Sequence, residues 1–307
     1  MNLDISYELR ARVALEAAGF RKAHALGQNF ILNESLISSL LDAAGVGPDD
    51  DVLEIGPGAG IMTALLSERS ARVLSVEIDE KLKPVLAEVL RGKGNVRLEF
   101  ADIMRADLPR LTRETFGRNS FRVVANLPYY ITSDVVEKLV ATGLPITDIC
   151  VMVQKEAAER ILSRPGTKKW CALAATIDYF GVPELLMDIP RTAFDPQPHV
   201  DSAFLRIGML AQKSVQAQSD DMMRRVIAAA FLMRRKKLAN NLKAAFALSH
   251  DEATSCLEEA EIDPDVRGEA LDIRALARLS DVLSRRLAKQ RVSPVPNGGM
   301  NEEEVTT

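Results

Sequence analysis

The chain has 307 residues, long enough for one large α/β domain or for a catalytic domain with a smaller appendage. Hydrophobic residues at 47% and charged residues at 27% place it among globular proteins that bury a core and exclude a disordered chain. A formal net charge of −4 excludes a protein that coats nucleic acid with its whole surface, so any such contact must use local basic patches.

The N-terminal MNLDISYELR carries early acidic residues and no apolar leader run, and no later stretch approaches the roughly 18 apolar residues of a membrane span. A cytoplasmic protein without membrane attachment is expected. Residues 1–20 are read as an extension, and a loop-like HALGQNF precedes a helical pattern, ESLISSLLDAAG. From Asp51 onward short apolar runs alternate with segments of helical period, the signature of βαβ units on a parallel sheet. The spacing predicts strands at 52–55, 72–78, 96–100, 122–126 and 148–153, with helices at 61–69, over KLKPVLAEVLR and over SDVVEKLV. The fold class is therefore α/β, a doubly wound Rossmann-like sheet. After Lys155 a helix, EAAERIL, is followed by CALAATIDYF, ELLMDI and SAFLRI, which read as closing strands. The catalytic domain is placed at 21–207. The polar GMLAQKSVQAQSDD opens a small helical domain at 208–291 with three helical patterns, and 292–307, rich in Pro, Gly and Glu, is expected to be disordered.

Cys150, Cys171 and Cys256 lie far apart without CxxC spacing, and His24, His199 and His250 have neither ligand nor triad spacing. Core thiols and surface histidines are expected, with no disulfide framework and no metal site.

The first predicted strand runs into Gly56-Pro57-Gly58-Ala59-Gly60 and then a helix, a tight turn that lets a ligand approach the backbone closely. A dinucleotide site wants the pattern G-x-G-x-x-G, whereas here the glycines fall at 56, 58 and 60 and residue 61 is Ile. Glu77, at the end of the second strand, can accept two hydrogen bonds from the ribose of an adenosine moiety, a group shared by NAD and S-adenosylmethionine. Asp102, after the third strand, can accept from an adenine amine.

The fourth strand ends in Asn126-Leu127-Pro128-Tyr129. An adenine N6 amine is a poor nucleophile because its lone pair is delocalised into the ring. The Asn126 side-chain oxygen and the Leu127 carbonyl, held by the fixed φ of Pro128, can accept both N6 hydrogens and turn that lone pair toward a sulfonium methyl. Tyr129 offers a ring on which an extruded base stacks, worth about 1–3 kcal/mol. A neutral amide orients the amine without trapping the departing proton.

GQNFI (27–31), LEIGPGAGIMT (53–63), VEID (76–79), NLPYYITSDVV (126–136), VQKEAAERI (153–161), FDPQPHVDSAFLRI (194–207) and FLMRRKKLANNL (231–242) occur in this order, and the chain resembles the small-subunit (16S) rRNA adenine N6,N6-dimethyltransferases, relatives of the macrolide-resistance rRNA methyltransferases. The resemblance implies S-adenosylmethionine as cofactor, contacted by Asn29, Ile31, Gly56, Gly58, Glu77, Asp102 and Asn126. It also implies that Phe194 sandwiches the target adenine opposite Tyr129. The substrate implied is a pair of adjacent adenosines in a hairpin loop near the 3′ end of small-subunit rRNA, each methylated twice, and the partner an immature small subunit met by a monomeric enzyme. Ala101 stands where the family usually has glycine, which keeps the acid at 102 and removes only backbone freedom.

Arg234, Arg235, Lys236 and Lys237 form the local basic patch that an otherwise acidic chain needs for phosphate contact. Two other functions compete with the dimethyltransferase: a non-catalytic ribosome assembly factor and a large-subunit rRNA adenine N6-methyltransferase of the resistance type. A nicotinamide oxidoreductase is discouraged by Ile61 and by the NLPY loop.

Overall fold

The computed structural model describes residues 5–20 and 28–292. The expected tail lies outside the described residues apart from Val292, as do His24 and the glycine of GQNFI. Within the N-terminal extension a helix, α1 (Tyr7–Ala17), starts where the Ser6 hydroxyl accepts from the Leu9 N–H.

The apolar runs predicted as strands form β2 (Asp51–Ile55), β3 (Arg72–Glu77), β4 (Val96–Phe100), β5 (Phe121–Asn126) and β6 (Ile146–Gln154). They follow a two-residue strand, β1 (Phe30–Ile31). The large sheet has the order β4-β3-β2-β5-β6-β9-β7, in which β7 is Gly181–Ile189 and β9 is Ser202–Met209. The strands from β4 to β6 pair in parallel, and β9 lies antiparallel to both β6 and β7. Every residue of β2 is buried, because both faces of the sheet are covered. Val52 packs in a core with Ile37, Leu40, Ile61 and Leu86, whereas Leu53 and Ile55 pack in a second core with Leu111, Val135, Leu139 and Ile177. Helices α2 (Glu34–Ala44), α3 (Ile61–Arg69) and α4 (Lys83–Val89) therefore cover one face. Helices α5 (Leu108–Phe116), α6 (Thr132–Ala141), α7 (Lys155–Ile161) and α8 (Ala172–Phe180) cover the other.

The chain winds outward from β2 to β4 and then returns to β5 on the opposite side of β2. That reversal makes the carboxyl ends of β2 and β5 the topological switch point, where open α/β sheets leave a crevice.

The structure corrects several sequence expectations. CALAATIDYF is not a strand: Ala172–Phe180 is α8, entered from an extended Cys171. Ala174, Ala175, Thr176, Ile177 and Tyr179 are all buried, so the run shows no clear amphipathic period, and only its alanines and Leu173 favour a helix. The GQNF segment is not wholly loop, since Phe30 and Ile31 pair antiparallel with β8 (Phe194–Asp195). Helix α5, amphipathic and N-capped by Asp107, was not foreseen.

The chain divides into two compact units after Ser214, because β9 runs on to Met209 and the Ser214 N–H donates to the Tyr179 carbonyl at 3.2 Å. Among its described residues the second unit holds not three helices but four: α9 (Asp220–Phe231), α10 (Leu238–Phe246), α11 (His250–Glu259) and α12 (Ile273–Val292). A capping box between Ser249 and Glu252 starts α11 and separates it from α10.

Candidate active site

A cleft opens at the carboxyl ends of β2, β3, β4 and β5, and its empty space including the open mouth is about 1060 Å³. Gly56, Gly58 and Gly60 carry φ values of 76°, 54° and 83°, which let the backbone turn from β2 into α3. At Gly58 a second constraint applies: a Cβ would stand 2.9 Å from the Phe30 ring, so only glycine lets the N-terminal segment lie across the turn.

Glu77 ends β3 with its carboxylate anchored by backbone donors. Oε1 accepts from Ile78 N at 2.9 Å and Asp79 N at 2.8 Å, and Oε2 accepts from Gly58 N at 3.2 Å. A carboxylate offers about four lone-pair sites. Three are occupied here, which leaves one open to a further donor. Burial pushes the Glu77 carboxyl above its ordinary value, and the three backbone hydrogen bonds pull against it.

Behind it lies Glu54, 1% exposed on β2. Its Oε2 accepts from the Thr63 and Ser75 hydroxyls at 2.7 Å each, whereas Oε1 has no hydrogen-bond partner. Burial lifts its carboxyl to about 7, against those two hydrogen bonds, and the nearby Glu77 charge adds to the rise.

Asp102 follows β4. Its Oδ1 accepts from Met104 N at 2.8 Å, which leaves Oδ2 toward the solvent side, 3.7 Å from Arg105 Nε. The loop is clamped from α6: Lys138 Nζ donates to the carbonyls of Ile103 and Met104, each at 2.9 Å.

Asn126 ends β5 beside Gly56, and its Nδ2 donates to the Asn29 carbonyl at 3.1 Å. With Nδ2 committed, Oδ1 is the atom left to accept from a ligand. Leu127 is buried, and the turn beyond it closes through Pro128, whose carbonyl accepts from Ile131 N at 3.2 Å and from the Thr132 hydroxyl at 3.1 Å. The Tyr129 hydroxyl shares a 2.8 Å hydrogen bond with Ser202 on β9, and burial pushes its phenol pKa up. The segment 28–31 crosses the cleft as a strap, held by Gln28 Nε2 to Asp79 Oδ2 at 2.8 Å, by Asn29 to Asn126, and by β1 on β8.

The cleft thus brings together Asn29, Ile31, Gly56, Gly58, Glu77, Asp102, Asn126, Leu127, Pro128 and Tyr129. Phe194 is the exception. It is 5% exposed, packs in the core with Phe30 and Ile31 from a strand paired with β1, and does not line the cleft. The basic residues 234–237 belong to the second unit and form the exposed turn between α9 and α10, not a helix face. Arg234 pairs with Glu269 at 3.0 Å and Lys237 with Asp265 at 2.6 Å. Among the described residues Arg235 and Lys236 have no such partner.

Sequence reasoning missed Gln28, Lys138 and Ser202. Gln28 and Ser202 lay inside quoted motifs, but nothing local marked Lys138, whose role depends on a loop 34 residues earlier in the chain. Cys150, Cys171 and Cys256 are buried. Among the described residues no three His, Cys, Asp or Glu side chains gather as metal ligands, and no helix is long and apolar enough to cross a membrane.

A glycine turn with no room for a Cβ at Gly58, a buried acid ending the next strand and an amide at the switch point define a Rossmann-like S-adenosylmethionine-dependent methyltransferase. The sequence profile of the ribosomal RNA adenine dimethylases matches residues 19–284, and the chain belongs to that family. It is 39% identical over 292 residues to the ribosomal RNA small subunit methyltransferase A of Geobacillus sp. (strain WCH70), covering 94% of this chain and all of that protein. The protein of the same name from Streptococcus thermophilus (strain ATCC BAA-250 / LMG 18311) is 39% identical over 276 residues, 89% of this chain and 95% of that one. Among solved structures, a dimethyladenosine transferase from Plasmodium falciparum superposes with a TM-score of 0.67 at 22% identity, covering 84% of this chain and 97% of the other. The 23S rRNA methyltransferase ErmE superposes with a TM-score of 0.60 at 26% identity, covering 83% of this chain and all of that one.

Proposed function

We propose that the chain dimethylates N6 of two adjacent adenosines in a 3′-terminal hairpin loop of small-subunit rRNA, acting as a monomer in the cytoplasm on the immature subunit. The observation that carries this reading is the Asn126 amide, oriented by Asn29 at the switch point beside the glycine turn. The small-subunit name of relatives at 39% identity favours this substrate over the large-subunit RNA of the 26% neighbour.

Glu77 holds a ribose hydroxyl through the open site on its carboxylate, Asp102 receives the adenine amine, and Asn29, Ile31 and the backbone at Gly56 and Gly58 wall the cofactor. Bound S-adenosylmethionine supplies an electrophilic methyl on a positively charged sulfur. Asn126 Oδ1 and the Leu127 carbonyl accept the two N6 hydrogens of the extruded adenine and aim its lone pair, while the Tyr129 ring, fixed through Ser202, supports the base. Base extrusion costs a few kcal/mol, less from a loop than from a duplex. The methylated amine is acidic as a cation, so its proton leaves to water at the open mouth without a charged base.

The unit that ends at Ser214 performs this chemistry, and the helical unit, with Arg235 and Lys236, contacts the RNA or ribosome. The test is methyl transfer from labelled S-adenosylmethionine to small subunits isolated from cells lacking the protein, followed by nucleoside mass spectrometry. Dimethyladenosine appearing at one hairpin of the small-subunit RNA is the expected result. Label found only in large-subunit RNA, or in none, overturns the assignment.

A further inference from the structure

Tyr130 is 61% exposed, the largest exposure among the big apolar side chains described in the first unit, and it lines the cleft. A single exposed tyrosine on a protein surface is ordinary and calls for no function. This one differs in its mounting. It occupies the turn between Pro128 and Ile131, which is closed by the Ile131 N–H and the Thr132 hydroxyl on the Pro128 carbonyl at 3.2 and 3.1 Å. The preceding ring, Tyr129, is tied at its hydroxyl to Ser202, which is itself fully buried on β9. Two consecutive aromatic rings therefore share one braced turn, the first drawn against the wall of the cleft and the second left in solvent at its rim. Among the described residues Tyr130 makes no hydrogen bond, ring contact or ion contact.

From this geometry we infer that Tyr130 is a base-stacking platform for the nucleotide next to the one that enters the cleft, and so a determinant of single-stranded RNA recognition. The inference rests on the methyltransferase reading of the same cleft. A purine drawn into the cleft leaves its neighbour unstacked at the mouth, with one face bare. A tyrosine carried there on a fixed turn recovers stacking at little ordering cost, since only its two side-chain angles remain to be set. Stacking of this kind accepts any base, so the ring selects for an extruded strand and not for a sequence. It also supplies an aromatic surface at the cleft that Phe194, buried under β1, does not.

The experiment is steady-state methyl transfer to unmethylated small subunits by the full-length wild-type, Tyr130→Phe and Tyr130→Leu proteins. Stacking at about 1–3 kcal/mol per base corresponds to a rise of about 5- to 150-fold in KM for the subunit in Tyr130→Leu. Tyr130→Phe, which keeps the ring, should stay within about twofold of wild type. At saturating subunit the Leu variant should turn over within about threefold of wild type, and its affinity for S-adenosylmethionine should be unchanged. A KM for Tyr130→Leu within twofold of wild type, or a loss confined to cofactor affinity, overturns the inference. Unfolding followed by the fluorescence of Trp170, the only tryptophan and buried in the first unit, separates a folding defect from either result. Absence of transfer by the wild-type protein sinks the methyltransferase reading itself, an outcome distinct from equal KM values in an active series.

Discussion

Asn126 donates its side-chain N–H to the backbone carbonyl of Asn29 across 97 residues of sequence, at 3.1 Å. One bond thus performs two tasks. It sets which end of the amide faces the cleft, leaving the oxygen as acceptor, and it holds down the strap over the cofactor cavity. Asn126→Ala should reduce methyl transfer by about 10²–10³-fold, the scale of losing one preorganised polar group. Loss of the strap bond, worth about 1 kcal/mol, should also weaken cofactor binding by about fivefold. Rapid-quench methyl transfer and calorimetric cofactor titration measure the two effects separately. Wild-type transfer by the alanine variant would remove Asn126 from the chemistry.

Lys138 connects the helix that follows the catalytic turn to the loop that carries Asp102. Lys138→Met keeps the apolar stem and deletes the donors, so the Ile103 and Met104 carbonyls lose their clamp. The expected result is a cofactor KM raised about 3- to 10-fold, in keeping with a charge-assisted bond in a partly solvated loop, with the RNA KM unaltered. Equal cofactor KM values would show that the Met104 N–H on Asp102 suffices to hold the loop.

Glu54 makes the stability of the first unit depend on pH. Its carboxyl keeps a proton up to about 7 in the folded chain and loses it near 4.5 in the unfolded chain. Between those values the folded state binds the extra proton, so stability contributed below pH 4.5 is lost progressively as the pH rises to about 7. At about 1.36 kcal/mol per pKa unit the loss is about 3 kcal/mol. Glu54→Gln imitates the protonated acid and should match wild type near pH 5 yet exceed it in stability by about 1–3 kcal/mol at pH 8. Urea unfolding monitored at Trp170 reports on this unit alone, and parallel midpoints for the two proteins from pH 5 to 8 would refute the assignment.

Arg235 and Lys236 stand exposed in the turn before α10, while Arg234 and Lys237 spend their charge on Glu269 and Asp265. Replacing Arg235 and Lys236 with alanine should reduce the slope of log affinity for small-subunit RNA against log salt by about 1–2, as expected for two lost phosphate contacts. The same pair of changes at 234 and 237 should flatten it less. Binding measured from 50 to 300 mM salt decides between them, and an unchanged slope in the first variant would mark those residues as a solvated surface.

The sequence by itself determined the sheet and which residues end its strands. Periodicity separates buried parallel strands from helices wherever one side of a helix stays wet, and Gly56, Glu77, Asp102 and Asn126 fall at strand ends because crossovers in a doubly wound sheet return every switch-point residue to the same edge. The same periodicity failed at α8, which is buried nearly all round and so carries no polar stripe to betray its turn. Only the tertiary structure decided that Phe194 packs in the core, that Glu77 has one lone-pair site to spare, that Asn29 and Ser202 hold Asn126 and Tyr129, and that Lys138 clamps the loop after Asp102. Those facts depend on contacts between segments tens of residues apart, and local pattern cannot encode which side chain a distant strand will meet.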